Sequence, residues 1–176
     1  MRMIEPNACA LATVGANNRP SNRFVLLKDV DDRGFTWFTN YESKKGNDIA
    51  ENPFAAMTFW WGPLEKSVRV EGRVEKISAA DSDEYFLKRP RGAELGAWSS
   101  DQSRPIADQN ALKVKYQETE QRFSELETLE RPQFWGGYRL IPDRIEFWKG
   151  RRSRLHDRIE FMRQEDGSWT TQRLQP

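Results

Sequence analysis

The chain has 176 residues, enough for one well-filled domain and too few for two. Its 28 Lys and Arg against 27 Asp and Glu leave a formal charge of +1, which excludes a global field drawing it onto nucleic acid or a membrane surface. One cysteine, Cys9, and one histidine, His156, exclude an internal disulfide and a Cys/His zinc set. With no signal-peptide pattern and no apolar run long enough to span a bilayer, a cytoplasmic protein is expected.

In chain order, "ACALATV" (8–14), "SNRFVLLK" (21–28) and "FTWFT" (35–39) read as short strands separated by the turn chemistry of "GANNRP" and "DVDDRG". Ser43 caps a short helix running to Asn52, which Pro53 ends. "FAAMTFWW" (54–61) and the alternating "SVRVEGRVEKI" (67–77) are strands, and Gly72 inside the second predicts a bulge or bend. Ser78 caps a second helix from Ala79 to about Lys88, before Arg89-Pro90 breaks it. A third and longer helix spans about Asp108 to Leu129, with Leu112, Tyr116, Phe123 and Leu126 on one stripe. Four more strands follow: "WGGYRL", "RIEFW", "RLHDRIEFM" and "SWTTQRL". If the third of these is extended throughout, Arg154, His156 and Arg158 share one face.

Many closely spaced strands with few helices predict an α+β chain, mainly β. The expected form is a closed antiparallel barrel with helices packed outside it, as a single domain over 1–176. No GxGxxG, GxSxG or Walker A pattern is present. His156 and Asp157 are neighbours that point apart on a strand, so no hydrolase triad is expected. The mean hydropathy of −0.86 is polar, yet seven Trp and ten Phe supply aromatic bulk for a core and for a pocket or interface.

Lys44 and Lys45 stand in the first turn of a helix, where the macrodipole disfavours cations by ~0.3–1 kcal/mol each. They make sense there if a phosphate docks on the free backbone N–H groups, although a solvated surface helix tolerates the same charges. Arg23 and Lys28 flank an apolar strand segment and point to opposite faces of an ideal strand. Tyr85 and Arg89, four apart, share a helix face.

Taken in order, "RFVLLK", "FTN" with "ESKKG", "YFLKRPRG", "GAWSSDQS", "FWGGYRL", "IEFWKG", "RLHDR" and the final "RLQP" resemble the pyridoxamine 5′-phosphate oxidase family from about Pro6 to Pro176. The resemblance implies an antiparallel split β-barrel, homodimeric, with FMN as cofactor. Arg23, Lys44 and Lys45 would hold the FMN phosphate. Further flavin contacts would come from Phe24, Val25, Leu26, Leu27 and Lys28 of the "RFVLLK" segment and from Phe38 and Thr39. Gln102 and Ser103 would reach the flavin from the partner subunit, and Ser67, Trp148 and Arg158 would border it. Lys28, Tyr85 and Arg89 match the pocket for the substrate phosphate. Arg154 and His156 match residues packing over the pyridine ring and are the catalytic candidates. Ser67 stands where the family commonly has a glutamine, and Ala93 replaces a serine of the phosphate pocket. Family members usually carry a further N-terminal segment that helps close the substrate site, so a shortened form is expected here.

The implied activity is oxidation of pyridoxamine or pyridoxine 5′-phosphate to pyridoxal 5′-phosphate, with O2 as acceptor and H2O2 as product. No metal, nucleic acid or membrane partner is implied. The alternatives are a related flavin oxidase of another ring, such as a phenazine-type substrate, and a non-catalytic FMN- or B6-binding barrel.

Overall fold

The computed structural model describes residues 5–176. The chain forms two compact units, both assembled from separated stretches. The first unit comprises the chain through Trp37, Asp48–Glu75 and Arg139–Pro176, and the second comprises Phe38–Asn47 and Lys76–Tyr138.

Among the described residues, nine strands form one sheet: β1 (Ala8–Val14), β2 (Pro20–Leu26), β3 (Asp29–Asp31), β4 (Gly34–Asn40), β5 (Phe54–Trp61), β6 (Lys66–Lys76), β7 (Trp135–Lys149), β8 (Asp157–Arg163) and β9 (Trp169–Arg173). Their order is β2-β1-β5-β6-β7-β4-β3, with β8 on β7 and β9 on β8. The pairs β1–β2, β1–β5, β3–β4, β5–β6, β7–β8 and β8–β9 are antiparallel. Four helices accompany them: α1 (Lys44–Glu51), α2 (Ala79–Leu87), α3 (Arg91–Ser99) and α4 (Gln109–Arg122).

Local chemistry accounts for most of these elements. On β1, Cys9, Leu11 and Thr13 are buried while their neighbours are only half-buried, the period-2 signature of a strand with one face in the core. With Trp37, Met57, Val70 and Leu140, Cys9 and Leu11 form the fully buried core of the first unit. Burial pushes the Cys9 thiol up to about 12, so it stays protonated and inert. In the second unit Phe86, Leu95, Leu129 and Trp135 make the core, with Phe38, Tyr85 and Trp98 against it. Ser78 caps α2 by accepting from Asp81 N at 3.0 Å, and Asp108 caps α4 by accepting from Ala111 N at 2.8 Å.

Five sequence expectations change. Asp29–Asp31, expected as turn, is a short strand that pairs with β4. "WGGYRL" and "RIEFW" are one 15-residue strand, β7, which continues through Pro142. Pro90 does end α2, but it also caps α3, a helix that weak hydrophobic periodicity hid. α4 stops at Arg122, so Leu126 lies beyond it and is 52% exposed. Finally, Arg152–Arg154 form a 3-10 turn and β8 begins only at Asp157, so Arg154 and His156 do not share a strand face with Arg158.

Of the bulge or bend expected at Gly72, the bulge is absent. The β5–β6 register runs without a bulge from Phe54 opposite Arg73 to Trp61 opposite Lys66. A Cβ on Gly72 would lie 2.0 Å from the backbone oxygen of Ile141, so glycine is needed for close approach of two backbones.

A buried carboxylate joins β6, β7 and β8. Glu146, 3% exposed, accepts from Arg158 Nε at 2.7 Å and from Arg158 Nη2 at 3.0 Å. It also accepts from Arg69 Nη2. The hydrogen bonds from Arg158 hold its carboxyl below the usual carboxylate range, against the opposing effect of burial.

Two outcomes follow for stability. Gly72→Ala should cost ~3 kcal/mol, read as a lowered urea midpoint at unchanged slope. Glu146→Gln should cost about 3 kcal/mol at pH 7, because two guanidinium groups lose their shared counter-charge. A carboxylate whose native pKa is depressed stabilises fully above its unfolded value and loses that contribution as pH falls through the native one. The gap between parent and Glu146→Gln should therefore close as pH falls below the ordinary carboxylate range, and a pH-independent gap would contradict the ion-pair assignment.

Candidate functional site

In the second unit, the start of α1 gathers the first cluster. The turn after β4 lets the Ser43 hydroxyl donate to Asn40 O at 2.7 Å, and this sets the helix entry. Lys45, only 7% exposed, donates from Nζ to Gln102 Oε1 at 2.9 Å, Thr39 Oγ1 at 3.0 Å and Ser43 Oγ at 3.2 Å. Thr39 also donates to Gln102 Oε1 at 2.9 Å. Gln102, expected to act from a partner subunit, thus meets Lys45 and Thr39 of its own chain. Ser103 beside it is left-handed at φ 71°, and Lys44 opens the helix exposed. A concavity of about 290 Å³ lined by Asn40, Glu42, Asp101, Gln102 and Arg104 adjoins this cluster.

The same unit holds the pair Tyr85 and Arg89. Tyr85 stacks on Phe38 with centroids 3.7 Å apart and planes 9° apart, so the Phe38 ring is committed to the aromatic cluster. The Arg89 guanidinium lies 4.5 Å from the centre of the Trp135 ring. Its Nη1 is buried and has no hydrogen-bond partner among the described residues. Burial lowers the Arg89 pKa, partly offset by Tyr85 and Glu94, yet a guanidinium remains charged at neutral pH. A buried cationic donor without an acceptor is set up for an anion. Ala93 follows three residues after Pro90 and adds no donor there.

In the first unit, a concavity of about 350 Å³ is lined by Trp60, Ser67, Arg69, Glu146, Trp148, Arg158 and Pro176. Three of these, Ser67, Trp148 and Arg158, are flavin candidates from the sequence. Trp148 and Arg158 are cross-strand partners on β7 and β8. The Trp148 ring lies 5.8 Å from that of Trp60 and 4.7 Å from that of His156. Arg69, Glu146 and Trp60 were missed from sequence. Their signals were present: Arg69 is two residues after Ser67 on an alternating strand, and Glu146 sits inside "IEFW". Arg69 Nε is buried and has no partner among the described residues. Arg154 is exposed at φ 62°, and His156 is half-buried and accepts from Arg151 N at 3.2 Å on Nδ1.

The "RFVLLK" residues divide by face. Arg23 donates to Thr13 Oγ1 at 2.6 Å, Ser21 Oγ at 2.6 Å and Leu11 O at 3.2 Å, and lies 3.7 Å from Asp48 of α1. Burial lowers its pKa and Asp48 opposes that shift. Val25 and Leu27 are half-buried, whereas Phe24, Leu26 and Lys28 are exposed. Lys28 is tied by its backbone N–H to Thr36 O at 2.9 Å, which leaves its side chain on the surface.

Known proteins resemble this chain over nearly its whole length. The family model described as "Pyridoxamine 5′-phosphate oxidase" matches residues 2–123. A second, "Pyridoxine 5′-phosphate oxidase C-terminal dimerisation region", matches residues 135–176. The chain is 58% identical over 173 residues to a protein of Pseudomonas entomophila named "Pyridoxine/pyridoxamine 5′-phosphate oxidase", covering 98% of this chain and 80% of that one. Among solved structures it resembles PhzG from Burkholderia lata 383 in complex with tetrahydrophenazine-1-carboxylic acid, with TM-score 0.91, 30% identity and coverage of 98% and 84%. It also resembles a pyridoxamine 5′-phosphate oxidase-related, FMN binding protein of Nostoc punctiforme, with TM-score 0.78, 17% identity and coverage of 99% and 90%, a likeness of fold alone. The α+β antiparallel split-barrel class expected from the sequence is borne out. With both models matched in order and this identity over nearly the whole length, the chain belongs to the pyridoxamine 5′-phosphate oxidase family.

Proposed function

We propose that this protein is an FMN-dependent oxidase that converts pyridoxamine 5′-phosphate or pyridoxine 5′-phosphate to pyridoxal 5′-phosphate. The supporting observation is Arg89: beside Tyr85, its buried and unpartnered Nη1 forms an anion receptor suited to a phosphorylated substrate. The 58% identical relative carries the corresponding name.

The donor set fits a phosphorylated flavin. The buried Lys45 ammonium, held by Thr39, Ser43 and Gln102, supplies a fixed positive charge at a helix N-terminus. Arg158 and Arg69 face a concavity walled by Trp60 and Trp148, apt for a planar ring with carbonyl edges. When bound, FMN supplies hydride acceptance and return of the electrons to O2, which yields H2O2; the amine substrate also consumes water and releases ammonia.

Lys45, Lys44 and Arg23 hold the cofactor phosphate. Thr39, Gln102, Ser103, Ser67, Trp148 and Arg158 position the ring system, with Phe38 and the Phe24–Leu27 segment as further contacts. Lys28, Tyr85 and Arg89 anchor the substrate phosphate, so the reacting carbon is presented in one orientation. Arg154 and His156 pack over the pyridine.

Residues 1–176 act as one FMN-binding domain, and two copies assemble as a homodimer in the cytoplasm. The dimerisation region matched at 135–176 supports the assembly, as do Phe24, Trp60 and Leu155, which are 79%, 60% and 70% exposed. Among the described residues no helix is long and apolar enough to cross a membrane.

A phenazine-type substrate is the second reading, favoured by the likeness to PhzG. Lys28, Tyr85 and Arg89 weigh against it, because three donors suit the three oxygens of a phosphate better than the two of a ring carboxylate.

Adding pyridoxamine 5′-phosphate to the FMN-loaded protein in air should release H2O2; bound FMN without release would leave a non-catalytic barrel. Lys45→Ala should weaken FMN binding by ~1.5–3 kcal/mol, measured by flavin fluorescence. Arg89→Met should raise KM for the phosphorylated substrate roughly tenfold or more, ~1.4 kcal/mol, at unchanged FMN content. Equal turnover of pyridoxamine and its phosphate would contradict the receptor assignment.

A further inference from the structure

The turn that carries Arg154 and His156 is built against its own backbone preference. Ser153 and Arg154 have φ of 58° and 62°, two consecutive left-handed residues with neither a glycine. For a residue with a Cβ each is sparsely populated, and such a conformation persists only where its surroundings over-determine it. The fastenings are identifiable. Gly150 N donates to Glu65 O at 2.7 Å, and Leu155 N to Arg152 O at 3.2 Å. Arg151 donates from Nε and Nη2 to Asp157 Oδ2 at 2.8 and 2.6 Å. Arg173, on β9, donates from Nη1 to Asp157 Oδ1 at 2.6 Å. One carboxylate thus holds the start of the turn and a neighbouring strand, with both its oxygens engaged.

These ion pairs are poor stability devices. The side chains of Arg151, Arg173 and Asp157 are 51%, 65% and 36% exposed, and water and salt screen such exposed pairs. What they constrain is the backbone of Arg151, whose N–H donates to His156 Nδ1 at 3.2 Å. A ring nitrogen that accepts is unprotonated, so the neutral imidazole carries its proton on Nε2. The ring also lies against Trp148, 4.7 Å between centroids and tilted by 41°. Among the described residues none is hydrogen-bonded to Nε2.

We propose that Asp157 is a positioning residue for substrate binding: by bridging Arg151 and Arg173 it fixes the Arg151 N–H on His156 Nδ1, so that His156 presents Nε2–H as a hydrogen-bond donor to an acceptor atom of the phosphorylated pyridine. Asp157 acts through Arg151 and does not touch the imidazole. His156 is then a donor and not a base. The substrate part of this inference rests on the proposed oxidase activity; the tautomer part does not.

His156 is the chain's single histidine, so 15N-histidine labelling of the FMN-loaded protein gives one set of ring signals. Without substrate, Nδ1 should resonate as a pyridine-type and Nε2 as a pyrrole-type nitrogen, and the Arg151 amide should exchange slowly. Asp157→Ala should speed that exchange at least tenfold and raise KM for pyridoxine 5′-phosphate roughly tenfold, with FMN content unchanged. Arg173→Met, at an exposed strand position, should move both readouts in the same direction and decides the matter if Asp157→Ala does not fold. A protonated Nδ1 in the parent, or parental exchange and KM in the variants, would overturn the proposal. If the parent protein produces no H2O2, the oxidase assignment fails, and the nitrogen signals and amide exchange still decide the clamp.

Discussion

The first unit depends on one carboxylate that water barely reaches. Glu146 is 3% exposed and shared by two guanidinium groups from the neighbouring strands. A carboxylate so placed is tolerable only if both oxygens are satisfied by charged donors, because removing an ion from water costs several kcal/mol even after relaxation. The requirement ties β6, β7 and β8 together at the point where the concavity forms. It also leaves more positive than negative charge there, with Arg69 and Arg158 against one carboxylate.

A chain with net charge +1 has no excess of cations to spread over its surface, so the surroundings of each cation decide what its charge meets. They differ from residue to residue. Lys45 is buried among neutral oxygens at the start of a helix, where its charge and the positive end of the dipole have the same sign. Arg89 lies over the face of Trp135, which supports the guanidinium without consuming its hydrogen-bond donors. Arg23 has its donors taken by Thr13, Ser21 and Leu11 and shares its charge with Asp48. Counting basic residues would treat the three alike. Their surroundings set how much of each charge is already answered within the chain.

Ser67 and Ala93, the two departures from the family pattern, fall at sites that retain other donors. Ser67 sits in the same concavity as Arg69 and Arg158. Ala93 lies in the first turn of α3, four positions after Arg89, whose Nη1 is buried and has no hydrogen-bond partner among the described residues.

By itself the sequence determined what depends on residues close together. Strand-like runs bounded by turn chemistry located β1 and β5, alternation located β6, and Ser78 and Asp108 marked where α2 and α4 begin, because strand period and helix capping are set within a few residues. The ordered motifs pointed to the family for the same reason. Only the tertiary structure decided that Glu146 answers Arg69, 77 positions away, and that Gln102 meets Lys45, 57 positions away. It also decided that Gly72 is a close approach to Ile141 and not a bulge. The run "RRSRLHD" has the composition of a strand entry, yet it forms a left-handed turn across which Asp157 meets Arg151 and Arg173. Residue type states which bonds a side chain is able to make; which partner arrives within 3 Å is set by the closure of the whole sheet, and no local pattern carries that information.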